Sequence, residues 1–432
     1  MTTTAQPTPE EVAVEHVLTR ARVSTAQRIG AGLSLVVLGV LTVWLFGIEG
    51  HHHQDASIRL GALNADHVPH FTVPPVPVAW AAGILTMLLG LAWLAVPRRP
   101  WFGPVMGVGI GLFAVALICW LASASNFAFV DVVGLLTNTI GYAVPLILGA
   151  LCGVMCERSG VINVAIEGQM LAGAWASALI GTVIGAAAGM LAGAFAGAVI
   201  GWLLAVFAIR YLVNQVVLGV VLNVLAAGLT GFFYDAFMQP HTESLNQPPL
   251  LENHKIPLLG EIPVVGPLFF DSTVIVYVTY VLIIAVDVWL FRTRWGLRTR
   301  AVGEHPRAAD TVGINVLAMR YRNVLIGGAI AGLGGSYFIF QVGQFQKNIT
   351  SGQGFIALAA LIFGRWSPRG AVAAALLFGF ASAMQTTLSI NAPSIPSNFV
   401  AMVPYVATIL AVAGLVGKVR APAADGEPYV KG

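Results

Sequence analysis

Charge is scarce in this 432-residue chain: Asp, Glu, Lys and Arg together make up 9% of it, against roughly 25% in an ordinary soluble domain. With 57% of its residues hydrophobic, the chain cannot have water as its main solvent. Cysteine is nearly absent as well. Of the three, Cys119, Cys152 and Cys156, the last two are spaced C-x-x-x-C rather than as a metal or redox pair. All three lie in or at the ends of apolar runs and read as packing thiols. Also missing is any G-x-x-x-x-G-K-[ST] run: the only Gly-Lys pair, Gly417 and Lys418, ends an apolar segment. The chain therefore carries no phosphate-cradling loop, and any energy from a nucleotide must come from another subunit. No small-residue cleavage site follows the first apolar run, so that run reads as a retained span and not a removed signal peptide.

What is present is a series of apolar runs of roughly 18–25 residues, the length a helix needs to cross ~30 Å of hydrocarbon. They predict an all-α, polytopic helical membrane protein with about twelve spans, near 30–48, 78–96, 102–122, 134–156, 160–180, 183–209, 213–233, 273–291, 323–341, 353–364, 370–388 and 398–417. The runs are continuous rather than alternating, which argues against a β-barrel. The 353–364 run is too short to cross alone and reads as a half-span, tolerable only where protein or a cavity covers its backbone. Placing the N-terminus inside puts nineteen of the 22 Lys and Arg on the inner side and leaves Arg59, Lys255 and Lys347 outside. Positive loops resist translocation, so both termini are expected in the cytoplasm.

The chain then divides into a tail (1–29), a group of N-terminal spans (30–130), a core (131–417) and a second tail (418–432). Two proline-rich loops face outward, 49–77 and 234–272, and are expected to be ordered caps. The first holds His51, His52, His53, His67 and His70. Three adjacent histidines cannot converge on one ion from a regular element, so a polar surface loop is preferred to a metal site. Glycine recurs at 181, 185, 189, 193, 197 and 201, a stripe suited to close helix contact within the chain or with a second subunit.

Between Arg292 and Arg322 lie 31 residues, RTRWGLRTRAVGEHPRAADTVGINVLAMRYR, with seven bases and the acids Glu304 and Asp310. Pro306 suits the first position of a helix and Gly313 the position just past its end, so PRAADTV is expected to form about two turns outside the bilayer. Such a rigid knob can dock in a groove of a cytoplasmic protein. The competing reading is a basic loop lying on anionic lipid.

The stretch WGLRTRAVGEHPRAADTVGINV resembles the coupling loop of permeases in the branched-chain amino acid, ribose and nucleoside group of ATP-binding cassette importers. The matching residues are Gly296, Arg298, Arg300, Ala301, Gly303, Glu304, Pro306, Ala308, Ala309 and Gly313, with His305 where asparagine is more usual. ERSGVINVAIEGQM (157–170), NQVVLGVVLNVLAAGLT (214–230) and GFIALAALIFGRWSPRGA (354–371) resemble further family runs, and the likeness spans about 134–417. It implies a permease subunit, not an enzyme, that binds no cofactor itself. Gly303, Glu304, His305, Pro306, Arg307 and Asp310 would then meet a separate ATPase that uses ATP and Mg. The wording of ERSG and GRWSPRGA is nearest the nucleoside branch. That branch implies a nucleoside substrate, a second related permease in a heterodimer, a lipoprotein of the basic membrane protein type that delivers substrate, and no nucleic acid. Residues 1 to about 130 lie outside the likeness.

Polar groups inside spans are costly and usually face a cavity or a neighbour. Asn163 and Glu167 share a helical face, as do Gln215, Gly219 and Asn223. A neutral, hydrogen-bonding ligand needs a few amides in an apolar lining. Asn138, Asn163, Glu167, Gln169, Gln215 and Asn223 are therefore the candidate path residues, against the alternative of plain interhelical hydrogen bonding. Glu167 could pair with Arg158 or cap a broken helix, and Asp287 lies near Arg292 and Arg294. Ribose or another sugar is the alternative substrate. An ion-coupled secondary transporter, which usually places acids or broken helices in matching halves, is a weaker competitor, since the chain shows two internal acids and no clear repeat. An intramembrane enzyme lacks its His or Cys constellation.

Overall fold

The structure, a computed structural model, describes residues 25–48, 55–59, 70–95, 102–124, 130–391, 402 and 420–431. The span expected at 398–417 and the histidines His51, His52, His53 and His67 lie outside them. The chain forms two compact units, Met1–Val132 with Gln385–Gly417, and Val133–Met384 with Lys418–Gly432.

In the first unit α1 (Thr25–Thr42) runs on into a π-helical turn (Val43–Ile48), and α2 (Pro75–Ala95) and α3 (Phe102–Ala124) complete a helical group. A Cβ on Gly39 would lie 2.6 Å from the Gly83 carbonyl, so α1 and α2 meet backbone to backbone. Ala31, Leu35, Trp93 and Met106 form one core cluster and Phe46, Ala79, Ala82 and Ala116 another. The loop expected to face outward at 49–77 is not free of strands, as an all-α reading would have it. β1 (Ala56–Arg59) pairs antiparallel with β2 (His70–Val73) and parallel with β3 (Val130–Asp131). Ile58, Phe71, Thr72 and Val73 suit a pleated surface and outweigh the helical surroundings.

The second unit holds α4 (Val132–Glu157), α5 (Ile166–Val183), α6 (Ala186–Ala205), α7 (Gln215–Phe233), the short α8 (Thr242–Leu245) and α9 (Val265–Phe269), then α10 (Val274–Arg292). After these come α11 (Arg294–Glu304), α12 (Pro306–Thr311), α13 (Val316–Val342), α14 (Gln353–Phe363) and α15 (Pro368–Asn391), whose last residues belong to the first unit. The 234–272 loop is ordered as expected, closed by β4 (His254–Lys255) against β5 (Asp271–Ser272). Asn246 ties it to the chain after α13: its amide donates to the Phe345 carbonyl at 3.0 Å and accepts from the Phe345 N–H at 2.7 Å.

Among the described residues eight helices are long and apolar enough to cross a membrane, with Pro104–Trp120 and Gln353–Phe363 as shorter apolar stretches. The run expected at 160–180 is not one span. Residues 158–165 are turns and extended chain, and α5 starts at Ile166. The short run expected at 353–364 forms α14, an apolar helix of 11 residues.

From Gly189 to Gly201 the glycine stripe is an internal seam. Gly193 packs against Ser177 and Ser336, and Gly197 against Gly328 and Gly332, so α6 presses on α5 and α13. The Ser177 and Ser336 hydroxyls meet at 2.6 Å inside it. Gly197→Leu would have to part these backbones, an overpacking cost of about 1–3 kcal/mol or more. A melting temperature several degrees lower in detergent is the expected result. Gly228, with nothing within 4 Å of a built Cβ, is the control site, where leucine leaves the melting point in place.

Candidate functional site

Where α4 ends, the chain makes a tight turn that needs Gly160 at φ +85°, a conformation that disfavours other residues. The backbone groups of 161–168 lose their helical partners, and side-chain amides replace them. The Ile162 N–H donates to Gln215 Oε1 at 2.7 Å. The Asn163 carbonyl oxygen accepts from the Ala165 N–H at 3.0 Å while its NH₂ reaches Gln169 Oε1 and Cys152 Sγ, both at 3.1 Å. Asn223 bridges from α7, donating to the Val164 carbonyl at 2.9 Å and accepting from the Gly168 N–H at 2.8 Å. Asn163, Gln169 and Gln215 are all buried. Four of the candidate path residues thus come together around one irregular segment, and they serve its backbone.

Glu167 does not pair with Arg158. Its carboxylate accepts from Thr350 Oγ1 (2.6 Å) and from the backbone N–H groups of Gly352 (2.9 Å) and Gly354 (2.6 Å). It caps α14 from outside, supplying at the positive end of that helix the acceptor that its own N-cap glycine lacks. Asp287 likewise pairs not with Arg292 or Arg294 but with Arg369, at 2.8 Å; the basic side chain one helix away is nearer than those at the end of its own. Asn138 stands apart from the amide cluster. It is exposed on α4, one turn before the exposed Tyr142. Against this face lies Tyr337 of α13, whose hydroxyl would sit 3.0 Å from a Cβ on Gly141 and which accepts from the Gln341 amide at 3.0 Å.

The 292–322 segment folds as α11 and α12, with Pro306 opening α12 and Gly313 at φ +83° past its end. Ala309 on the inner side of α12 packs with Val302, Val316, Met319 and Tyr429. Arg307, Ala308, Thr311 and Val312 are exposed, Val312 to 75%. Glu304 and His305 are exposed as well, and Gly303 is buried so closely against the Arg158 carbonyl that a side chain there has no room. Asp310 is half-buried and faces the Tyr429 hydroxyl.

Three features of this region carry no signal in local spacing. Glu157 is buried and accepts from Trp366 Nε1. Arg158 donates from Nε to the Trp366 carbonyl at 2.7 Å, holding Arg365 and Trp366 in successive left-handed conformations at φ 55° and 53°. Burial pulls the Arg158 guanidinium down from its ordinary pKa, and the Glu304 carboxylate opposes that shift. Finally, residues 420–431 lie against the 303–320 region and the turn at Gly160.

A set of long apolar helices, with a break at 158–165, a short helix capped from outside and a small, largely exposed helix between two long apolar ones, is that of a polytopic helical membrane protein. Residues 135–412 match the family described as branched-chain amino acid transport system / permease component, and the chain belongs to that family. It is 45% identical to the guanosine ABC transporter permease protein NupQ of Bacillus subtilis over 68% of this chain and 95% of that protein. The nucleoside ABC transporter permease protein NupC of Lactococcus lactis is 39% identical, over 69% of this chain and 96% of NupC. The putative glucose ABC transporter permease protein TsgC13 of Haloferax volcanii is 36% identical, over 58% and 77%. No solved structure matches the chain.

Proposed function

We propose that this chain is the membrane permease of a bacterial nucleoside importer, driven by a separate ATPase and without enzymatic activity of its own. The observation that carries the reading is the likeness to a guanosine and a nucleoside permease over nearly their whole lengths. Energy would enter at the 292–322 segment, where Gly303, Glu304, His305, Pro306, Arg307 and Asp310 build or present α12 to the ATPase, on the cytoplasmic side of the plasma membrane. ATP and Mg are used by that subunit, and this chain holds no cofactor. A second, related permease would complete the path, and a lipoprotein would deliver substrate from outside.

For the path itself, the exposed face of Asn138 and Tyr142 beside Tyr337 and Gln341 is the best-supported surface. Amide and phenol groups facing hydrocarbon would be costly, so they belong against the second permease or a water-filled channel. They offer the hydrogen bonds and aromatic surface a nucleoside requires. Asn163, Glu167, Gln169, Gln215 and Asn223 would shape the path through the backbone they hold.

A sugar is the second reading, favoured by the glucose relative. Cells lacking the chain should fail to accumulate labelled guanosine or adenosine while glucose and ribose uptake stays normal; the reverse pattern selects the sugar. In the complemented strain Asn138→Leu should raise the KM for nucleoside about fivefold, the loss of one hydrogen bond, at unchanged protein level. Asn223→Leu should instead lower the amount of folded protein. An unchanged KM in Asn138→Leu removes that residue from the path.

A further inference from the structure

The tail after the last apolar run contributes nothing to the family match, which ends at residue 412, yet residues 420–431 are bonded along their length to two elements. On one side they hold the extramembrane helices: the Ala424 N–H donates to the Gly303 carbonyl at 2.9 Å and the Ala423 N–H to Glu304 Oε2 at 3.2 Å. Tyr429, 7% exposed, fills the apolar underside of α12 with Val302, Ala309, Val316 and Met319. On the other side they hold the turn after α4. A Cβ on Gly160 would lie 2.9 Å from the Ala424 carbonyl, and one on Gly426 2.6 Å from Ile162 Cδ1. Arg320, 1% exposed, donates to the Glu427 carbonyl at 2.8 Å.

We propose that residues 420–431 act as a strap that positions α12 and carries its movement to the 157–168 turn, with Tyr429 as the anchor on the α12 side. The proposal rests on the reading that α12 docks on the ATPase. Without the strap, the underside of α12 would keep only Val302 of α11 and Val316 and Met319 of α13, and would lose the tyrosine that fills it. With it, a push on α12 reaches the segment whose amides hold α5 and α7.

The Asp425 side chain supports the fit. It points at the Glu157 carboxyl, and burial, then Glu157, raises its pKa to about 8, with Arg320 and the Gly426 N–H opposing. Glu157 is in turn bonded by Trp366 Nε1. A released tail returns Asp425 to an ordinary carboxyl value near ~3.9. The docked form therefore holds the extra proton, and docking weakens as pH rises from about 4 to about 8 and is flat above that.

The test uses the full complex in proteoliposomes, reading nucleoside uptake and ATP hydrolysis together. Tyr429→Ala should keep the ATPase bound and hydrolysing within about twofold of wild type while nucleoside moved per ATP falls about tenfold, a coupling loss of ordinary size. Tyr429→Phe, which keeps the ring in its cluster, should restore the ratio. The ratio in the wild type should drop between pH 6.5 and 8.5, and Asp425→Asn should flatten that dependence. A chain lacking 420–432 is the second variant. Equal loss of uptake and hydrolysis, an unchanged ratio, loss of ATPase binding in Tyr429→Ala, or absence of both variants from the membrane would each overturn the strap. Failure of the wild-type chain to hold an ATPase would instead sink the docking reading.

Discussion

Glu167→Ala is expected to remove most of the folded protein from the membrane fraction. The carboxylate is the common acceptor for Thr350 Oγ1 and the Gly352 and Gly354 N–H groups, and alanine leaves three donors facing a small void. Hydrogen bonds to a charged group contribute about 1.5–3 kcal/mol each, and allowing for the partial exposure of this site the loss is about 3–5 kcal/mol. That is a large part of the 5–15 kcal/mol, roughly, that holds a typical protein folded. Glu167→Gln should recover only part of it. The amide oxygen can keep Thr350 and Gly352, but the NH₂ then confronts the Gly354 N–H, donor against donor. The measurement is the fraction of chain surviving mild detergent as a monodisperse peak, with Gly228→Ala as the neutral control. Wild-type recovery of Glu167→Ala would show that α14 needs no acceptor from α5.

That role was half legible in the sequence. A carboxylate inside an apolar run had to have partners, and capping of a broken helix was one of two options. Which helix it caps was not legible, because the partners are 183 to 187 residues away. The amides show the same division. Their residue types marked a place where backbone or ligand needs hydrogen bonds, but 160–180 as a whole still reads as one apolar run. The break at 158–165 shows only through Gly160 and the bonds that Asn163, Gln215 and Asn223 make to it. Local signals did better where the cause is local: Pro306 and Gly313 delimit α12 because one fixes φ and the other tolerates a left-handed turn. The strap had no such signal. Its bonds to Gly303 and Arg320 join residues more than a hundred positions apart, and a short polar tail with one tyrosine reads the same whether docked or free.

Arg307→Glu should release the ATPase and bring uptake to background without changing the amount of chain in the membrane. The inner face of α12 is committed to Val302, Val316, Met319 and Tyr429 through Ala309, so a change at the exposed Arg307 leaves that packing alone. Its outer face, Arg307, Ala308 and Thr311 with Val312 at 75% exposure, pairs an apolar patch with one positive charge, the composition of a compact docking surface. Reversing a charge across such an interface costs several kcal/mol, about 100-fold or more in affinity. Glu304 should behave differently, since its carboxylate accepts from the Ala423 N–H and sits near Arg158: Glu304→Ala should retain the ATPase and lose coupling, as a strap variant does. The lipid reading of this segment predicts another pattern, a loss of about 1 kcal/mol of attraction per charge that depends on anionic headgroups. In neutral-lipid proteoliposomes that reading leaves Arg307→Glu indistinguishable from wild type, whereas docking on an ATPase keeps the defect whatever the lipid.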